Sequence, residues 1–151
     1  MSTRRGEHGS ELNERGAAAA NYNPVGGTGN VVFVCGKVNV WNGELRHIGR
    51  LGENIDIDEG YQAARLCGLN LIAQAKAAAQ GDLDKIKRVV KLGGFVNSTP
   101  DFTDQPKVIN GTSDLMAEVF GEGGKHTRFA VGAPTLPLGV AVEVDGVFEL
   151  G

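Results

Sequence analysis

The sequence has no excess of basic residues. Its 15 lysines and arginines are outnumbered by 18 aspartates and glutamates, for a formal net charge of -3 over 151 residues. A protein that neutralises many phosphates needs its lysines and arginines clustered on one face, and here they are scattered along the chain. The composition therefore argues against DNA or RNA as a partner.

Cysteine and histidine are also scarce. The chain has two cysteines, Cys35 and Cys67, and three widely separated histidines. With no CxxC motif and no closely spaced histidine pair, the sequence predicts no zinc site. We expect both cysteines to be buried small hydrophobic residues in a reducing compartment.

The N-terminus lacks an apolar run long enough for a signal peptide or a membrane span, so the cytoplasm is the expected location. Residues 1–20 are predicted to form a surface segment packed on the domain, and residues 21–151 a single domain. A chain of this length buries roughly two-thirds of the surface that its unfolded form exposes. One compact core is therefore expected, without disulfides.

Strand-like and helical patterns alternate along the rest of the chain. The predicted elements are a strand at 31–36, a partner strand across the Asn42-Gly43 turn, a helix over 59–80 capped by Asp58, a strand over 86–96, a second helix, and strands at 126–131 and 140–150. The second helix has start signals at Thr99-Pro100 and at Gln105-Pro106, and it ends before Gly121. This β-β-α-β-α-β-β order predicts an α+β two-layer domain, with two helices on one face of a mostly antiparallel sheet. The other face must be solvated or covered by a partner, so function is expected there.

A glycine-rich stretch, Gly26-Gly27-Thr28-Gly29, invites comparison with a phosphate-binding loop. It precedes a strand instead of joining a strand to a helix, and no GK[ST] follows it. We interpret it as a turn.

The last strand predicts the orientation of its side chains. From Val140 to Leu150 the even positions are almost all apolar and the odd ones carry most of the charge, so Glu143 should project away from the helices. Arg128, in the preceding strand, is expected on the same face if the two strands pair antiparallel. An arginine fork binds a carboxylate and a glutamate can hold a water, but an ion pair across two strands would show the same pattern.

Several blocks of the sequence together resemble the reactive-intermediate deaminase (Rid) family, also described as YjgF-like or L-PSP-endoribonuclease-like. The resemblance extends from about residue 20 to the C-terminus, and its most specific part is the spacing from Arg128 to Glu143. The blocks are Tyr22, Gly29-Asn30, Val31 to Gly36, the helix from Glu59, Asn110, Arg128, Leu136-Pro137 and Val142-Glu143-Val144.

The resemblance implies a chorismate-mutase-like fold that assembles as a homotrimeric barrel with clefts between subunits. It also implies cofactor-independent hydrolysis of 2-imino or enamine acids to 2-keto acids and ammonia. Arg128 would bind the substrate carboxylate, Glu143 would orient the attacking water, and Tyr22 would cover the ligand. Gly36 and Asn110 would shape and line the pocket.

The sequence departs from the family's deaminases at Ala130, a pocket position where they often carry cysteine. The segments 97–102 and 110–115 are more similar to a longer subgroup whose substrates are undefined. A trimeric protein that binds small carboxylates without turnover is therefore the alternative. Ribonuclease activity conflicts with the acidic balance, and chorismate mutase activity would need more converging cations than this chain offers.

Overall fold

A computed structural model describes residues 21–151, and the predicted surface segment at 1–20 lies outside the described residues. The strands are β1 (Val25–Thr28), β2 (Val31–Val38), β3 (Val40–Trp41), β4 (Glu44–Leu45), β5 (Ile86–Asn97), β6 (Thr127–Ala133) and β7 (Val142–Leu150). The α-helices are α1 (Ile57–Ala78) and α2 (Gln105–Phe120), and short 3₁₀ turns lie at Leu83–Lys85, Gly121–Gly124 and Pro137–Gly139.

Five strands form one sheet in the order β1-β2-β7-β5-β6. The β5–β6 pair is parallel and the other three pairs are antiparallel. Both helices pack on one face, which confirms the predicted two-layer α+β architecture. Among residues 21–151 no helix has the length and apolar character needed to cross a membrane.

The helix boundaries follow local signals. α1 begins after Asp56, whose carboxylate accepts a hydrogen bond from the Glu59 amide at 2.8 Å, and not after Asp58 as predicted. Both aspartates fit the capping pattern, and the backbone leaves its extended conformation at the first of them. α2 has Pro106 in its first turn and ends before Gly121, whose φ is +60°, as predicted.

Small residues let the two helices lie against each other. A Cβ on Gly111 of α2 would overlap the Tyr61 carbonyl of α1, and one on Gly68 would lie 2.9 Å from Leu115. The core between helices and sheet is apolar and closely packed. Its largest fully buried side chains include Phe148, Leu71, Ile72, Leu92, Ile109 and Leu115.

The structure corrects two further predictions. The Asn42-Gly43 turn closes a hairpin as predicted, with φ values of +48° and +82°. The two strands of this hairpin are β3 and β4, however, and not β2 and a partner. β2 pairs with β1 and β7 instead. Cys67 is buried, whereas Cys35 is only half-buried because it lies beside the irregular end of β2 on the uncovered side of the sheet.

Candidate functional site

Glu143 projects from the face of the sheet that the helices leave open. Its neighbours Val142 and Val144 are fully buried, and its partner on β5 is Phe95, which is 37% exposed. The orientation predicted from the β7 alternation is therefore confirmed.

Gly36 lies directly under the Glu143 carboxylate. The β2–β7 register shifts between Val34 and Lys37, which places Gly36 in the irregular stretch. A Cβ added to Gly36 would lie 2.9 Å from Glu143 Oε2. The structure thus brings together two of the predicted site residues, and it shows why a glycine fits at this position.

The environment of Glu143 favours its protonated form. Partial burial raises the pKa of the Glu143 carboxyl, and the negative charge of Asp145 on the same face adds to the effect. A carboxylate with a raised pKa is a stronger base than an exposed glutamate. Glu143 is therefore better suited than an exposed glutamate to accept a proton from a water molecule.

Arg128 lies on β6, the edge strand, and its side chain reaches α2. Nη1 donates to Ser113 Oγ at 2.9 Å, and Nη2 donates to the Pro106 carbonyl at 3.3 Å. Within residues 21–151 these bonds engage two of the five N–H donors of the guanidinium. The guanidinium is thus anchored to α2 by two hydrogen bonds and retains donors for an anion.

The prediction that Arg128 and Glu143 share a face is wrong. β6 does not pair with β7, because β5 lies between them and pairs with β6 in parallel. Arg128 is in register with buried Leu92, whereas Glu143 is in register with exposed Phe95, three residues further along β5. The two side chains leave opposite faces of the sheet, which also excludes the ion pair left open above.

The other predicted pocket residues divide between the two edges of the sheet. Asn110 is exposed on α2 three residues before Ser113, and Ala130 follows Arg128 by two residues, partly buried against the core. Both therefore lie on the Arg128 side. Tyr22 is 48% exposed and precedes β1, the strand at the edge opposite β6.

Sequence reasoning missed two residues beside Arg128. Ser113 Oγ and His126 Nε2 are 2.8 Å apart, and His126 Nδ1 is 2.6 Å from the Gly124 carbonyl. One sequence signal could have indicated His126: it lies two residues before Arg128, so in an extended segment both side chains point to the same side.

Besides Glu143 and Asp145, the open face exposes large apolar side chains. Phe33, Phe129 and Val131 are 51%, 36% and 42% exposed. Phe129 meets Phe95 edge-on, with ring centroids 5.4 Å apart. Large apolar side chains exposed on one face of a sheet are typical of an interaction face.

A surface groove of about 460 Å³ lies elsewhere, at the N-terminus of α1. None of the predicted site residues lines it. Its lining residues are Gly52, Ile55, Asp56, Ile57, Asp58 and Phe102.

Comparison with known proteins gives the family. Residues 2–150 match the family described as "YjgF/chorismate_mutase-like, putative endoribonuclease". The chain belongs to this YjgF/Rid family, and its fold is the chorismate-mutase-like fold that the sequence predicted.

Three relatives illustrate the match. Protein Atu1372 from Agrobacterium tumefaciens, a protein of unknown function with a crystal structure, is 43% identical, with a TM-score of 0.92, over 99% of this chain and 92% of that one. Protein TCP17 of Trypanosoma cruzi is 55% identical over 68% of this chain, a match that spans only 64% of TCP17. TdcF of E. coli, solved with bound serine, is 20% identical with a TM-score of 0.66 over 94% of this chain and all of TdcF, and shows the fold alone.

Proposed function

We propose that this protein hydrolyses reactive 2-imino or enamine acids to 2-keto acids and ammonia, without a cofactor, in clefts between the subunits of a cytoplasmic homotrimer. The observation that carries the proposal is the Arg128 guanidinium, which is anchored on α2 with donors to spare for a carboxylate. The family and the serine bound to TdcF support a small carboxylate ligand.

The geometry of one chain supports a site that a neighbouring subunit completes. Because Arg128 and Glu143 leave opposite faces of the sheet, we propose that Arg128 of one protomer faces Gly36 and Glu143 of the next. The apolar open face formed by Phe33, Phe95 and Phe129 supports such an assembly, since it would otherwise remain in water. Tyr22, at the edge opposite Arg128, would reach the ligand from the neighbouring chain, while Asn110 and Ala130 would line the Arg128 side.

In this arrangement each residue has a separate task. Arg128 binds the carboxylate bidentately and orients the imine carbon. Glu143, with its raised pKa, takes a proton from water as the water adds to the carbon of the protonated imine, and then gives that proton to the nitrogen of the resulting carbinolamine. The C–N bond then breaks as the carbinolamine hydroxyl loses its proton, and the products are the 2-keto acid and ammonium. Gly36 leaves room for the carboxylate of Glu143 beside the ligand.

The activity test uses freshly generated 2-iminopropanoate. The parent protein should accelerate ammonia release over the spontaneous rate, and Arg128→Ala should lower kcat/KM on the order of 100-fold. Arg88→Ala is a matched control, since Arg88 is an arginine of the same sheet that pairs with Glu149 and should leave the rate unchanged. If the parent adds nothing to the spontaneous rate with several 2-imino acids, the proposed reaction is wrong.

Mixed assemblies test the shared site. Co-expression of Arg128→Ala with Glu143→Gln, each inactive alone, should produce some clefts with both native residues if the residues come from different protomers. With random mixing about a quarter of the clefts would regain activity. If both residues belonged to one protomer, no activity would return.

The alternative is a trimeric protein that binds small carboxylates without turnover. It is favoured by the separation of Arg128 from Glu143 within one chain, where the two side chains lie on opposite faces of the sheet. Calorimetry with 2-ketobutyrate distinguishes the two functions. Saturable binding without turnover of any 2-imino acid would establish the alternative.

A further inference from the structure

A chain of hydrogen bonds continues behind Arg128 into the body of the protein. It runs from Arg128 Nη1 to Ser113 Oγ, from Ser113 to His126 Nε2, and from His126 Nδ1 to the Gly124 carbonyl, over distances of 2.9, 2.8 and 2.6 Å. Ser113 and His126 are both half-buried. We call these residues, from Gly124 to Arg128 Nη1, the relay.

Each bond of the relay has a defined direction. The Gly124 carbonyl can only accept, so His126 Nδ1 carries a proton, and Nε2 of the neutral ring is an acceptor. Ser113 must therefore donate its hydroxyl proton to His126. Its oxygen then accepts from Arg128, because a guanidinium can only donate. With the imidazole neutral, only one proton arrangement satisfies all three bonds.

The far end of the relay is fixed by backbone packing. A Cβ on Gly124 would overlap the Met116 carbonyl of α2, and one on Gly123 would lie 2.6 Å from the Lys87 carbonyl of β5. The Gly124 carbonyl therefore belongs to a turn wedged between two major elements. A hydrogen bond to it restrains the imidazole far more than a bond to a free loop would.

We propose that Ser113 and His126 are positioning residues, which hold the Arg128 guanidinium in one orientation before a ligand arrives. An arginine side chain on an edge strand has many rotamers, and ordering them costs affinity at the moment of binding. Because the relay orders the Arg128 side chain before the ligand binds, less entropy is lost on binding. Hydrogen bonds to the second ring nitrogen of a metal-binding histidine fix its orientation in the same way. The inference rests on the proposed function only in naming a small carboxylate as the ligand.

The first test needs no ligand. NMR relaxation of the Arg128 Nε–Hε group, assigned with Arg128→Lys, should show a rigid side chain in the parent and a clearly more mobile one in Ser113→Ala and in His126→Phe. Phenylalanine keeps the volume of the ring and removes both hydrogen bonds. ¹⁵N shifts of His126 should report the Nδ1–H tautomer in the parent.

The second test measures binding of 2-ketobutyrate by calorimetry. Ser113→Ala and His126→Phe should raise the dissociation constant about tenfold. His126→Gln and Ser113→Thr should stay within about twofold of the parent, because each can remake the bond toward Ser113 or Arg128. Thr127→Val is the matched control, since Thr127 lies between His126 and Arg128 and its hydroxyl bonds instead to the Val90 carbonyl.

The outcomes separate this inference from the proposed function. Parent-like Arg128 mobility in both disrupting variants, with unchanged melting temperatures, would overturn the positioning role whether or not the protein binds carboxylates. If the parent binds no carboxylate but its Arg128 loosens in the variants, the proposed function fails and the positioning role stands. If rigidity and affinity fall together and the conservative variants restore both, both are supported.

Discussion

The two faces of the central sheet both carry large apolar residues, but these residues are buried on one face and partly exposed on the other. On the covered face Phe148, Leu92 and Val144 are fully buried against the helices. On the open face Phe33, Phe95 and Phe129 retain a third to a half of their exposure beside a half-buried Glu143. The covered face stabilises the fold of one chain, whereas the open face leaves apolar area exposed that would contact a neighbouring subunit in the proposed trimer.

The two faces should differ most in the loss of stability caused by replacing one phenylalanine on each face with alanine. Phe148→Ala leaves a cavity in the closed core and should lower the free energy of unfolding by ~3–5 kcal/mol. Phe33 is 51% exposed in one chain, so Phe33→Ala should lower the free energy of unfolding of a protomer by less than ~1 kcal/mol.

Denaturant unfolding at several protein concentrations measures both values. A Phe33→Ala loss that changes with protein concentration would locate Phe33 at a subunit interface. Equal, concentration-independent losses at the two positions would remove the distinction between the faces.

A smaller change should affect only the open face. In Gly36→Ala the new methyl group would displace the flexible end of Glu143, so stability should hold while kcat/KM for 2-imino acids falls about tenfold or more. Gly26→Ala is the control, because nothing lies within 4 Å of a Cβ there. Thermal melts and steady-state rates give both readouts, and an active Gly36→Ala would show that the carboxylate position is not critical.

The smallest expected effect is the pH dependence of stability at Glu143. Its pKa in the folded chain is raised above the ordinary 4.5, so the folded state binds the proton more tightly, and stability is lost as the pH rises from about 4.5 through the raised pKa. Glu143→Gln removes this loss and should stabilise the protein at pH 7 by under ~1 kcal/mol, since the group is half exposed.

Unfolding curves of the parent and of Glu143→Gln at pH 4 and pH 7 measure the difference. The stabilisation should disappear at pH 4. A stabilisation that is equal at both pH values would mean that the charge of Glu143 is not its source.

The elements could be predicted because their signals are local. The start of α2 at Gln105-Pro106 and its end at Gly121 depend only on backbone preferences of nearby residues. The alternation in β7 has a clear amphipathic pattern because one side of that strand lies in the core.

The surroundings of Arg128 could not be predicted in the same way. On β6 the exposed side carries Phe129 and Val131, while the side toward α2 carries Arg128 and Ala130, so the pattern is the reverse of an ordinary half-buried strand. In the sequence, an apolar strand face that is exposed in one chain cannot be distinguished from an apolar face that packs in the core. No sequence signal indicated the contact between Ser113 and His126, because 13 residues separate them.

The order of residues alone determined where the chain turns, which segments coil or extend, and which way Glu143 points, because each of these depends on neighbours a few positions away. Only the folded chain decided that β6 runs parallel to β5 and that Arg128 turns toward α2 to join Ser113. Strand pairing depends on long-range packing, and a side chain at a sheet edge takes its direction from the elements packed beside it.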